Sequence, residues 1–191
     1  MQVMDLNRAL QSTMTMLAKV EPGQLAAPTP CASWDVRALI NHFVGTARWW
    51  ADTVTGAGDA VEADYAAGDF VAAYEESIGL AVAAFEADGV LGRTVRLPFG
   101  EFPGDVVLGM AALDQFTHGW DLARAIGQHT DLDPALAAEL LGQARLGITE
   151  AFRGPDGQVP FGPARDAMAG ASQADELAAF LGRRTDVALA R

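Results

Sequence analysis

The sequence predicts an all-α protein, and three observations carry that reading. Apolar residues recur at spacings of three and four along several long stretches, the signature of helices with one buried face. Capping residues stand ahead of most of these stretches. Clusters of proline and glycine separate them, which marks loops between antiparallel neighbours.

Leu6, Leu10, Met14 and Leu17 follow Asp5 at helical spacing and define a first helix, with Asp5 as its cap. In "PTPCASWDVRALINHFVGTARWW" the prolines stop the chain from coiling. Ser33 is read as the N-cap and Asp35 as a first-turn acid, ahead of a face formed by Val36, Leu39, Ile40, Phe43, Ala47 and Trp50. A connection rich in glycine and acid runs from Thr55 to Gly68. Asp69 then caps a third helix through Val71, Tyr74, Ile78, Val82 and Phe85.

"RTVRLPFGEFPGD", with two prolines and two glycines, allows only a short extended excursion or a lone hairpin. A fourth helix starts near Asp105 and runs to Gly127, apolar nearly all round and therefore central. Asp133 followed by Pro134 opens a fifth helix through Leu136, Leu140, Ala144 and Ile148. After the loop "RGPDGQVPFGPA", Ser172 precedes a short last helix, "QADELAAFLG". The length suits a single domain over residues 1–191.

Charge narrows the function. Thirteen basic residues against twenty-five acidic ones leave a net charge of −12, which disfavours nucleic acid and anionic membranes as partners. The single cysteine, Cys31, excludes an internal disulfide, and no leader or long apolar run is visible, so the expected location is cytoplasmic. Glycine-rich phosphate loops, a Ser-His-Asp order and paired-cysteine metal motifs are all absent.

The fourth helix carries the chemistry. In "LDQFTHGWDLARAIG" Asp114, His118 and Asp121 share one stripe with apolar or small neighbours. Carboxylates on a core-facing stripe need pairing or coordination, and no lysine or arginine shares that stripe. His42, on the second helix toward Leu39 and Thr46, supplies a third donor. His42, Asp114 and His118 give two nitrogens and one oxygen with open positions, a set suited to catalytic zinc and equally to non-haem iron. A hydrogen-bonded core histidine and a helix-stabilising Asp–His pair are the plain alternative.

Asp121 is a candidate catalytic residue, either accepting the ring N–H of a ligand histidine or handling a proton near the ion; a cap or a salt bridge to Arg124 would explain it equally. Trp49, Trp50 and Trp120 would wall a pocket or simply pack the core. Arg48 would meet an anionic substrate or solvent. Cys31 reads as a buried, inert thiol ahead of a helix. His129 has no partner at ligand spacing.

"TPCASWDVRALINH", Thr29 to His42, resembles the first signature of the DinB-like superfamily in its actinobacterial branch, related to the metal-binding N-terminal domain of mycothiol-dependent maleylpyruvate isomerase. "LDQFTHGWDLARAIG" resembles the second signature of that branch, and "FGPA" with "LAAFLGRR" echoes its C-terminal part. The resemblance implies a DinB-like four-helix bundle with additional C-terminal helices and a short extended excursion before the fourth helix. It also implies one divalent metal, zinc first with nickel or iron as alternatives, held at His42, Asp114 and His118. The family position at Asp114 is often Glu or His, a longer arm. The implied partners are a small-molecule thiol such as mycothiol, acting as cosubstrate, and a small electrophilic substrate.

The expected function is therefore a metal-dependent thiol transferase or isomerase that activates such a thiol, or water, against a small electrophile. The alternative is a non-catalytic small-molecule-binding or stress-response protein on the same bundle, its metal absent or structural. Apolar residues left on a bundle face would suit a homodimer.

Overall fold

The computed structural model describes residues 1–57, 63–155 and 158–185. Among these residues the α-helices are α1 (Val3–Leu17), α2 (Val36–Thr55), α3 (Phe70–Glu86), α4 (Gly104–Ala125), α5 (Pro134–Gly147) and α6 (Gln173–Phe180). A hairpin of β1 (Thr94–Leu97) and β2 (Gly100–Pro103) joins α3 to α4, with Thr94 opposite Pro103 and Leu97 opposite Gly100. The all-α architecture and the extended excursion before the fourth helix are as the sequence implies.

Two caps differ from expectation. Asp35, not Ser33, caps α2, its carboxylate accepting from Ala38 N at 2.8 Å. Starting one turn earlier than its apolar pattern, α1 has Gln2 at the cap, and Gln2 N donates to Asp5 Oδ2 at 2.9 Å. The other caps stand where the sequence puts them: Asp69 on α3, Asp133 on α5 and Ser172 on α6. Ile148 is the C-cap of α5 rather than part of it. Parts of the two long loops, residues 58–62 and 156–157, lie outside the described residues.

The central helix is α4, packed by α1 on one side and α2 on another, while α3 lies along α2 and α6 along α5. Phe116, Trp120, Leu108 and Leu122 of α4 are fully buried among Leu10 and Leu17 of α1 and Phe43 of α2. Each such large apolar side chain contributes roughly 1.5–3 kcal/mol by leaving water. Close approach of α1 and α4 depends on Gly119, where an added Cβ would lie 2.2 Å from Thr13 Oγ1. That contact fixes how deeply α4 sits, and hence where its polar stripe emerges. Among the described residues no helix is long and apolar enough to cross a membrane.

Candidate metal centre

Three side chains from two helices converge beside the core. The ligand atoms of His42 on α2 and of Asp114 and His118 on α4 all lie within 4.8 Å of one another. Asp114 Oδ1 stands 3.8 Å from His42 Nε2 and 3.5 Å from His118 Nε2. The two imidazoles meet edge to face with centroids 4.6 Å apart. Atoms bound to one tetrahedral ion at ~2.0–2.1 Å stand about 3.3 Å apart, so this cluster needs little movement to close on zinc or a similar cation.

The second carboxylate oxygen of Asp114 is already committed. Thr46 Oγ1, Gln115 Nε2 and Trp50 Nε1 donate to Oδ2 at 3.1, 3.0 and 3.4 Å. Gln115 is held in turn: its Nε2 also donates to Phe43 O at 3.2 Å, and its Oε1 accepts from Tyr74 Oη at 2.7 Å. Neutral donors therefore aim one oxygen of Asp114 into the core and leave the other facing the histidines. Burial pushes this carboxyl upward, but hydrogen bonds and charge from His118 and His42 outweigh it and hold it well below the usual carboxylate range.

His118 lies between two carboxylates, with Nε2 toward Asp114 and Nδ1 3.1 Å from Asp121 Oδ2. Desolvation lowers its pKa, and hydrogen bonds to Asp114, Asp121 and Cys31 override that and raise it well above the ordinary imidazole value. Trp34, just before α2, packs against both imidazoles, with ring centroids 4.3 Å from His42 and 5.7 Å from His118. The exposed fraction of the side chain falls from 29% at His42 and 23% at Asp114 to 9% at His118 and 0% at Asp121. The cluster thus opens to solvent on the His42 side.

Asp121 pairs with Arg183, from the segment after α6, rather than with Arg124. Nη2 and Nε of Arg183 donate to Asp121 Oδ2 and Oδ1 at 3.0 and 3.3 Å. Burial raises the Asp121 pKa, while Arg183 and His118 more than reverse that and keep the group ionised. Cys31 Sγ donates to Asp121 Oδ2 at 3.4 Å.

Cys31, His118 and Asp121 also bring ligand atoms within 4.8 Å of one another. Arg183 already supplies the positive charge at both Asp121 oxygens, and burial and Asp121 push the Cys31 thiol up, away from the thiolate that a metal requires. Of the two groups, His42, Asp114 and His118 have no such guanidinium on their carboxylate and form the candidate metal centre.

Other sequence candidates fall elsewhere. Trp120 Nε1 donates to Asp175 Oδ1 at 2.9 Å, tying α4 to α6 away from the cluster, and Trp49 packs edge to face on Trp50. Arg48 is bound to Ser77 and Glu76. His129 lies near Arg8 and Asp133. Spacing alone does not single out Trp34 or Arg183, although both stand inside the family-like stretches, at "ASWDV" and "LGRR".

A helical bundle with two imidazoles and a carboxylate gathered between α2 and α4 defines a DinB-like protein. More particularly, the chain belongs to the family of the mycothiol maleylpyruvate isomerase N-terminal domain, whose model matches residues 6–123. Two uncharacterized proteins from two strains of Mycobacterium tuberculosis are each 41% identical to it over 180 residues, covering 92% of this chain and 94% of each relative. No solved structure matches it.

Proposed function

We propose that this protein is an enzyme that uses a bound divalent cation to activate a low-molecular-weight thiol of the mycothiol type, or water, for transfer to or isomerisation of a small electrophile. One observation carries the reading: Asp114 Oδ1 faces both imidazole Nε2 atoms, while Asp114 Oδ2 is occupied by three neutral donors. His42, Asp114 and His118 would hold the ion, with zinc the best match to two nitrogens and one oxygen and nickel or iron as alternatives. Bound there, such an ion lowers the pKa of a coordinated thiol or water and yields a nucleophile near neutral pH.

The chain's own residues supply the rest. Thr46, Gln115 and Trp50 fix the rotation of the Asp114 carboxylate. Asp121 accepts from His118 Nδ1, which leaves Nε2 as the donor nitrogen and sets the ring plane. Trp34 covers the two imidazoles and keeps water from one side. The family name supports a mycothiol-type thiol as the first cosubstrate to try.

The test starts from protein purified without chelator. Elemental analysis is expected to give about one divalent metal per chain, and none in His118→Ala. The loaded protein, given a low-molecular-weight thiol and a small chromogenic electrophile, should form adduct faster than the uncatalysed mixture. No metal in either form refutes the proposal. Metal without turnover, joined to a rise in melting temperature with an added thiol, would mark a binding protein instead.

A further inference from the structure

Asp121 is fully buried and accepts at one oxygen, Oδ2, from His118 Nδ1 at 3.1 Å, Arg183 Nη2 at 3.0 Å and Cys31 Sγ at 3.4 Å. Oδ1 accepts from Arg183 Nε at 3.3 Å. A guanidinium that grips both oxygens fixes the plane of a carboxylate, which a single contact does not. The plane of Asp121 decides the direction from which it accepts the His118 ring N–H. Arg183 lies beyond the family match, which ends at residue 123.

Local structure delivers Arg183 to this spot. Gly182 has φ +96°, and a Cβ added to it would fall 2.6 Å from Gly162 Cα, so the two backbones cross where no side chain fits. Arg165 Nε donates to Gly182 O at 3.1 Å and Arg165 N to Ala179 O at 3.0 Å. Arg153 Nη1 donates to Gly162 O at 3.0 Å and to Phe180 O at 2.9 Å. Arg183 N returns to Ala178 O at 2.9 Å. The residues after α6 are thereby clasped to the 153–165 segment, with the Arg183 side chain directed at α4.

We propose that Arg183 is a positioning residue for the metal ligand His118, acting through Asp121, and that the Gly162–Gly182 crossing is the device that brings it there. This rests on the metal reading above. Removing the guanidinium would leave a buried carboxylate with only an imidazole and a thiol for partners, free to rotate and release Nδ1. The ligand nitrogen of His118 would then lose its fixed aim.

The experiment measures zinc affinity by chelator competition at one fixed pH, together with the visible spectrum of the cobalt(II)-loaded full chain. Wild type, Arg183→Met and Arg183→Lys are compared, with the melting temperature of each metal-free form recorded alongside. Zinc affinity is expected to fall about 10–100-fold in Arg183→Met, as for other groups that orient a ligand histidine, with shifted cobalt bands. Arg183→Lys, which keeps the charge and loses the two-point grip, should recover part of both. Should the methionine variant not fold, the lysine variant carries the comparison. If Arg183 merely glues the tail, melting falls while affinity and spectrum stay at wild-type values, and that result overturns the inference. A wild type that binds no metal overturns the metal reading and this inference with it; a loaded wild type beside indifferent variants overturns this inference alone.

Discussion

The indole of Trp34 lies 4.3 Å from the imidazole of His42, centroid to centroid, with the planes inclined by 36°. It is also within 5.7 Å of His118. A tilted aromatic pair of this kind contributes about 0.5–1.5 kcal/mol beyond area burial, so it acts directly on how well His42 is held.

At the proposed metal site, Trp34→Ala is therefore expected to weaken zinc binding by roughly 2–10-fold, the equivalent of that energy, while Trp34→Phe keeps most of the affinity. Chelator competition on the three proteins measures it. Equal affinity in Trp34→Ala would show that the indole plays no part in holding His42.

Gln115 is the next target. Its amide donates to Phe43 O, Thr46 Oγ1 and Asp114 Oδ2 and accepts from Tyr74 Oη. Gln115→Leu leaves the buried Tyr74 O–H without its acceptor and removes one donor to Asp114 Oδ2, at a cost of ~1–3 kcal/mol in unfolding free energy. In a double-mutant cycle, Tyr74→Phe should recover part of that loss, because the stranded hydroxyl goes with it. Strict additivity in urea unfolding would contradict the pairing.

Tyr74 also sets an alkaline limit. Burial, with a smaller contribution from Asp114, raises its pKa well above the ordinary tyrosine value, against an opposing hydrogen bond. A folded pKa above the unfolded one means stability that is fully present below about pH 10 and declines as pH rises through the folded value. Denaturant midpoints measured from pH 8 to 11 should fall at the upper end for wild type. Tyr74→Phe should flatten that limb, and an unchanged slope would assign the loss to other groups.

At the α1–α4 crossing, Gly119→Ala forces a methyl to 2.2 Å from Thr13 Oγ1 and 3.1 Å from Thr13 Cα. Overpacking of this kind costs typically ~1–3 kcal/mol, and the melting temperature should drop accordingly. Gly79→Ala, on α3 with nothing within 4 Å of the added Cβ, is the control and should be neutral or slightly stabilising.

Much of this architecture was legible because it is local. Periodic apolar residues marked all six helices, and Asp69, Asp133 and Ser172 marked three starts by their own hydrogen bonds to the following turn. The α2 start slipped by two residues because Ser33 and Asp35 are both competent caps, and only the backbone path decides between them. Nor did the beginning of α1 show in the pattern, since a Gln-to-Asp reciprocal cap is not the usual Ser/Thr-to-Glu form. At the site, the i, i+4 spacing of Asp114 and His118 pointed to a shared target, whereas Trp34 and Arg183 obey no period. Arg183 in particular answers half of the charge problem that the fourth helix posed, from 62 residues away in sequence.

That separation orders events during synthesis. The carboxylate of Asp121 emerges from the ribosome well ahead of its guanidinium, and helices α1 to α5 are complete by residue 147. Until residue 183 follows, the side chains already made that can meet Asp121 are the His118 imidazole and the Cys31 thiol. The Gly162–Gly182 crossing, which carries that guanidinium in, is therefore built from residues made after the carboxylate and its helix.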